Sequence, residues 1–285
     1  MFSMTDINAN NIDIHETVEI GNNVRINCDT IKLGKFCKIG DNVTIDCTTF
    51  ESDEWLWMCD GVEIGRGGCY GPNSSVKIGK GVGIFENTII NPSDSIEIGD
   101  NCGIGGEVMI WTHGAWLDTT IGFPSDYGPV KIGKNVWLPA RSIVLPNVEI
   151  GDDVVIGINS IINRDLPSGC FAAGSPCKVI KENVYPKKLT DDEKEDLVAV
   201  IVNDWFGMHE IKGITDVQIT YQNPEIILHQ SEKQTIYNID AKSTSGYIND
   251  VSEDFRDYLR RRGIKIYADR FFKSIKSKWI NEVFK

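Results

Sequence analysis

The chain is poor in the features that usually assign a protein quickly. Its eight cysteines include no CxxC pair, so a zinc site has little support. No run approaches the roughly 20 apolar residues of a membrane span. Basic residues are scarce: 29 Lys+Arg stand against 41 Asp+Glu, a formal charge of −12. That balance argues against broad nucleic-acid or anionic-membrane binding, which needs a positive field. Met1–Asp6 offers neither a basic end nor an apolar stretch, so no secretory signal is visible. Without that context, and in a chain of 285 residues that needs no disulfide staples, the cysteines read as small buried residues in a reducing cytoplasm.

What is present is a packable composition, 41% hydrophobic and 25% charged, on a length that fits one large or two ordinary domains. The charge is uneven. Residues 1–183 carry 24 acids and 13 bases, whereas 184–285 carry 17 and 16. A domain of 1–183 and a second of 184–285 are expected.

Self-similarity dominates the first part. Ile-Gly recurs at Ile20, Ile39, Ile64, Ile78, Ile98, Ile104, Ile132 and Ile150. Apolar residues then fall every six positions at Ile132, Leu138, Val144, Ile150, Ile156 and Ile162. A six-residue beat fits neither the 3.6-residue helix nor the two-residue strand. It fits a prism of short strands, each sending one aliphatic side chain inward before a tight turn. Three faces make a coil of eighteen residues, as from Ile132 to Ile150. Gly, Asn and Asp crowd the position after each anchor, where corners demand them. Stacked coils accumulate stability by nearest-neighbour contact. A β-sandwich, the rival reading, has longer strands and holds no such beat.

These residues resemble the hexapeptide-repeat acyltransferases over roughly 14–182. The most specific stretches are Val136-Trp137-Leu138-Pro139-Ala140-Arg141-Ser142, Ile150 through Ser160, and the closing Ala173-Gly174-Ser175-Pro176-Cys177-Lys178-Val179-Ile180-Lys181. The resemblance implies a mainly β fold, a left-handed parallel β-helix, followed here by a small α+β C-terminal domain. It also implies an acyl-CoA-dependent transferase working by direct transfer, with coenzyme A as cosubstrate and no metal. A homotrimer with active sites between subunits is implied too.

The beat breaks at 50–60, 91–95 and 111–129. A solenoid gains nothing by ejecting a loop, so binding residues are sought there. Four histidines exist, at 15, 113, 209 and 229, and only His113 stands at the mouth of the longest break. In the resembled family a histidine at this place is the general base, and imidazole suits that task near neutral pH. Asp94 lies about one coil earlier and can orient or hold an acceptor amine, orient the histidine, or simply shape a turn. Asn91, Trp111 and Trp116 are substrate-binding candidates; Glu86 and Glu107 are weaker. Trp111 and Trp116 can stack on a sugar or base, or pack the loop on a neighbouring subunit.

Family positions for the cofactor match Ala140, the Asn159-Ser160 corner and Lys178, with Lys181 and Arg164 as nearby bases. Departures are Pro139 in place of Gly, Ile158-Asn159 in place of Ala-Gly, and Cys177 in place of Ala. The expected acceptor is a sugar, preferably the amine of a nucleotide-linked amino sugar for surface glycans. O-acetylation of a carbohydrate hydroxyl is the alternative. A non-catalytic scaffold and a zinc-dependent carbonic-anhydrase-like solenoid stand further off, the latter because only two histidines lie inside the repeat. No Gly-rich phosphate loop precedes the repeat, which excludes a fused nucleotidyltransferase.

After Lys181 the beat stops. Thr190 with Glu193 reads as a capping box opening a helix to about Trp205. Strands are expected at Val217–Tyr221, Glu225–Gln230, Thr235–Asp240 and Ile264–Tyr267. A helix from Ser252 to Arg262 ends at Gly263. Phe271, Phe272, Ile275, Trp279, Ile280 and Val283 suggest an amphipathic closing helix. Arg260-Arg261-Arg262 reads as a solvated helix end, with phosphate contact as the alternative.

Overall fold

The computed structural model describes residues 5–277. It divides into two compact units, with the boundary between Lys187 and Lys188. The first is a parallel β-helix. Each coil contributes a short strand to three faces in turn. Face 1 stacks Thr44–Asp46, Glu63–Ile64, Ile89–Asn91, Met109–Trp111, Ile143–Val144 and Ile161–Ile162. Face 2 stacks Thr49–Ser52, Ser75–Ile78, Ile96–Ile98, Val130–Ile132 and Glu149–Ile150. Face 3 runs from Glu19–Ile20 to Phe171–Ala173. Two long strands, Asp6–Ile14 and Arg25–Leu33, cross faces 1 and 2 without a break. Strand Lys178–Lys181 reverses direction on Phe171–Ala173 and ends the stack.

The repeat's anchors form the core. Ile26, Ile45, Ile64, Ile90, Ile110, Val144 and Ile162 align inward on face 1, each nearly or wholly inaccessible to solvent. Anchors on the other faces align likewise, so every coil adds a layer of aliphatic contact. Corners explain the Gly-Asp and Gly-Asn signature. Asp41, Asp60, Asp100 and Asp152 each accept the backbone N–H of the preceding coil at 2.6–2.9 Å. Asn23, Asn42, Asn101 and Asn135 occupy left-handed corners with φ between 55° and 59°, which asparagine tolerates better than most residues. On the solvent side of faces 1–2, Asp13, Lys32, Glu51, Lys77, Glu97, Lys131 and Glu149 stand in register with alternating sign. Neighbouring opposite charges favour this register over a slipped one.

The expected eighteen-residue coil occurs late in the chain, where stacked partners are 18 apart. Early coils use 19. The break expected at 50–60 is absent, and this corrects the sequence reading. Phe50, Ser52, Leu56 and Met58 are buried in a regular coil. Trp55 takes a left-handed corner and stacks on Phe36, the corner residue one coil earlier, at 4.7 Å. The excursion lies instead at 65–74, where Gly65, Gly67, Gly68, Gly71 and Pro72 crowd together.

Cysteines 37, 47, 69, 102, 170 and 177 are buried and none of the eight is in a disulfide. Cys37 and Cys102 donate to carbonyls of the next coil at 3.2 and 3.0 Å.

The second unit contains a four-stranded antiparallel meander: Val217–Gln222, Glu225–Gln230, Lys233–Asn238 and Ser243–Gly246. The last of these strands has no counterpart in the sequence reading. Its helices are α1 (Asp191–Phe206), α2 (His209–Lys212) and α3 (Asp250–Arg261). α1 opens with the Thr190/Glu193 capping box. α3 is capped by Asn249, and Ser252 is its reciprocal N3 partner rather than the cap. Trp205, Ile226, Leu228, Tyr237, Phe255 and Leu259 form the core. Buried Arg256 pairs with Glu253 and donates to the carbonyls of Ile266, Arg270 and Phe271. Those bonds hold 264–277 as irregular chain, so the expected strand at Ile264–Tyr267 is absent and Phe271–Ser277 is not helical. Trp279, Ile280 and Val283 lie outside the described residues. Arg260 and Arg261 pair with Asp257, and Arg262 with Asp204.

Candidate active site

Three excursions leave successive coils at one edge, between face 1 and face 2. They are 65–74, 92–95 and 112–129. Stacking therefore brings together residues far apart in sequence. Asn91 ends a face-1 strand and is wholly buried. Its Nδ2 donates to the carbonyls of Gly65 at 2.8 Å and Arg66 at 2.6 Å. Its Oδ1 accepts from Ser93 Oγ at 3.2 Å and from Cys69 Sγ at 3.5 Å. Ser93 Oγ lies 3.0 Å from His113 Nδ1. Below them, Thr112 donates to the Asn91 carbonyl at 2.8 Å and accepts the Asp94 N–H at 2.9 Å.

His113 opens a small antiparallel ladder with Tyr127, whose ring stacks on the imidazole at 5.7 Å. Trp111 meets the imidazole edge-on at 6.0 Å. The ring is thus held on two sides and half-buried. Nε2 has no hydrogen-bond partner among the described residues. Beyond it the loop projects Trp116, which is 96% exposed, with Ile121 and Tyr127 also open to solvent.

The predicted residues divide by position. Asp94 sits beside the cluster, but its Oδ1 accepts from the Ser95 N–H at 2.7 Å. Ser93, not Asp94, contacts the histidine, which corrects one of the roles considered for Asp94. Asn91 has both amide hydrogens committed internally, so it shapes the site and is closed to a substrate. Trp111 reaches the imidazole; Trp116 does not. Glu107 pairs with Arg141, which lowers its carboxyl below the usual range.

Ala140, Asn159 and Ser160 occupy the opposite edge, where face 3 leads into face 1. Asn159 N–H donates to the Ala140 carbonyl at 3.1 Å. Ser160 is buried, donating to the Gly157 carbonyl at 2.6 Å and accepting from Gly174 N–H at 3.0 Å. It sets the corner and has no hydrogen left for a ligand. Exposed Lys178 and Lys181 lie on the closing strand, while Arg164 falls on the His113 edge, two coils further on. None of the three has an ion-pair partner among the described residues. Burial pushes the Cys177 thiol up, away from a nucleophilic thiolate. Among the described residues, no group of three or more His, Cys, Asp or Glu is arranged to hold a metal.

An open groove of about 860 Å³ runs along face 2, lined by the alternating Lys/Glu ladder and not by His113. Its charges face one another across strands, and no histidine lines it.

Residues 129–164, which supply the strands after the long loop, match the bacterial transferase hexapeptide family, six repeats. Residues 129–164 thus carry the repeat of this family. Within these transferases, the chain is 36% identical to the Escherichia coli galactoside O-acetyltransferase over 111 residues, 38% of this chain and 55% of that protein. A putative acetyltransferase of Saccharomyces cerevisiae is 37% identical over 111 residues, 38% of this chain and 57% of its own. The chain thus spans little more than half the length of these relatives. Among solved structures, the polysialic acid O-acetyltransferase OatWY overlaps 68% of this chain and 96% of its own, at 23% identity and TM-score 0.44.

Serine 93, Cys69 and Tyr127 escaped the sequence reading. Ser93 lay inside a recognised break; the glycine cluster at 65–74 was the available signal for Cys69.

Proposed function

We propose that this hexapeptide-repeat transferase moves an acyl group from a coenzyme A thioester to a sugar. The observation that carries the reading is His113, oriented through Nδ1 with Nε2 open, on the edge where all three excursions emerge. Acyl-CoA supplies an activated carbonyl. Nε2 takes the acceptor proton as the acceptor oxygen or nitrogen bonds to that carbonyl carbon. The C–S bond then breaks, and the proton passes from the imidazolium to the departing sulfur. Transfer is direct, with no acyl-enzyme.

The residues of this chain fit such a cosubstrate in charge. Exposed Lys178, Lys181 and Arg164, without ion-pair partners among the described residues, are local cations on an acidic solenoid and suit nucleotide phosphates. The Ala140–Asn159 corner presents the backbone to the pantetheine arm. Corner and histidine lie on opposite edges of face 1 in one chain. We therefore propose a homotrimer in which the corner of one subunit meets the His113 edge of the next.

A carbohydrate hydroxyl is the favoured acceptor, because the relative with a named substrate is a galactoside O-acetyltransferase. A hydroxyl also depends more strictly on a base than an amine does. The amine of a nucleotide-linked amino sugar, used for surface glycans in the cytoplasm, is the second reading. It is favoured by Asp94, whose half-buried carboxylate stands beside the cluster and suits an ammonium. Steady-state assays with acetyl-CoA and a panel of hydroxyl and amino sugars test both. Turnover with no member of the panel, together with no coenzyme A binding in calorimetry, overturns the proposal in favour of a scaffold.

A further inference from the structure

The proton positions around His113 follow from counting donors. Asn91 Nδ2 spends both hydrogens on the carbonyls of Gly65 and Arg66. Carbonyl oxygens cannot donate, so the amide has one orientation and Oδ1 is an acceptor. Oδ1 is buried with the rest of the side chain and receives Ser93 Oγ–H at 3.2 Å, with the weaker Cys69 thiol at 3.5 Å. Ser93 has a single hydroxyl hydrogen. Once that hydrogen is directed to Asn91, Oγ faces His113 Nδ1 across 3.0 Å with lone pairs only.

We infer that Ser93, oriented by Asn91, is a positioning residue that holds neutral His113 in the Nδ1–H tautomer, leaving the lone pair on Nε2. The two ring nitrogens of a neutral imidazole have opposite roles, and the partner of one decides the role of the other. Reversal of the chain would turn Ser93 Oγ–H toward Nδ1. Buried Asn91 Oδ1 would then keep only a thiol donor, and Nε2 would carry a hydrogen and lose its function as a base. An unsatisfied or weakly satisfied buried oxygen is costly. The bias therefore originates at the Gly65 and Arg66 carbonyls, in the 65–74 excursion, and travels through Asn91 and Ser93 to the ring. Tyr127 and Trp111 hold the ring plane in which this bond is made.

The catalytic consequence rests on His113 as the base; the tautomer itself does not. Long-range ¹H–¹⁵N correlation spectra of the full chain, labelled at histidine and recorded above neutral pH, read it directly. His113 signals are assigned by their loss in His113→Gln. The expected wild-type pattern is a protonated Nδ1 and an unprotonated Nε2. In Ser93→Ala, part or all of the population shifts to the Nε2–H form that free histidine prefers in water. Turnover in Ser93→Ala falls about 10–100-fold, the range lost when a group that orients a histidine is removed, while KM for either substrate changes less than about threefold. An Nε2–H tautomer in the wild type overturns the inference. So does an unchanged tautomer in a folded Ser93→Ala. A wild type with the Nδ1–H tautomer and no acyl transfer to any sugar leaves the inference standing and sinks the proposed function instead.

Discussion

At the residue scale, position within a coil decides what a side chain can do. His113→Ala removes the proposed base while leaving Trp111 and Tyr127 to hold the edge. Turnover is expected to fall about 10²–10⁴-fold, with coenzyme A affinity by calorimetry unchanged. Normal turnover would show that the proton goes elsewhere, for example to the departing sulfur or water. A second residue-scale prediction concerns the opposite edge. A Cβ on Gly157 would stand 2.7 Å from the Ala173 Cβ of the next coil. Gly157→Ala therefore overpacks the corner and is expected to cost about 1–3 kcal/mol, read as a lower denaturant midpoint at unchanged m-value. His113 was legible in the sequence because one histidine out of four stood at the mouth of a break. Ser93 was not, since a serine in a turn carries no sign of the ring that will face it from the next coil.

At the scale of elements, the excursions divide labour. The long loop 112–129 carries His113, whereas 65–74 supplies two backbone carbonyls and the Cys69 thiol to Asn91. Replacing 65–74 by a three-residue corner, like Asp46-Cys47-Thr48 one coil earlier, keeps the register of the strands on either side and the aliphatic ladder intact. The expected result is a cooperative unfolding transition close to wild type with strongly reduced turnover. Retained turnover would show that the Asn91 anchor is dispensable. In the second unit, Arg256 ties α3 to the irregular 264–277 segment through Glu253 and three carbonyls. Arg256→Leu leaves Glu253 with Arg270 as its remaining cation and strips three backbone carbonyls of their donor, so a loss of about 3–5 kcal/mol is expected in urea unfolding of that unit. The strand anticipated at Ile264–Tyr267 failed here for the same reason. A local alternation of apolar residues cannot register that a buried guanidinium from elsewhere will claim the backbone acceptors. The break anticipated at 50–60 failed in the opposite sense. Two tryptophans among acids look like a loop until Trp55 is seen stacked on the Phe36 of the coil before.

At the scale of the whole molecule, the two units carry separate cores, and the second is expected to respond to acid through His209. Burial lowers the pKa of His209, which packs edge-on against Trp205 and Phe206. Its folded-state pKa lies below the unfolded value near 6.5, so the folded state binds fewer protons. The stability it contributes is complete above that unfolded value and is lost as pH falls below it. Between about pH 7.5 and 5.5, the second unit's thermal transition is expected to fall, and His209→Phe should remove that part of the dependence. An equal slope in the variant would locate the effect in other groups. The chain's scarcity of positive charge is sharpened by the same view: eleven of the twelve excess negative charges belong to residues 1–183, yet Lys178, Lys181 and Arg164 stand there without ion-pair partners among the described residues. The six-residue beat by itself determined the solenoid, because a period read along the chain is also the period of the faces. Anchor identity, corner chemistry and the helix caps of the second unit are likewise local and therefore readable. Only the tertiary structure decided which breaks share an edge. That depends on how many residues each coil ejects, and stacking converts those lengths into contacts among Gly65, Asn91, Ser93 and His113 that no spacing in the sequence displays.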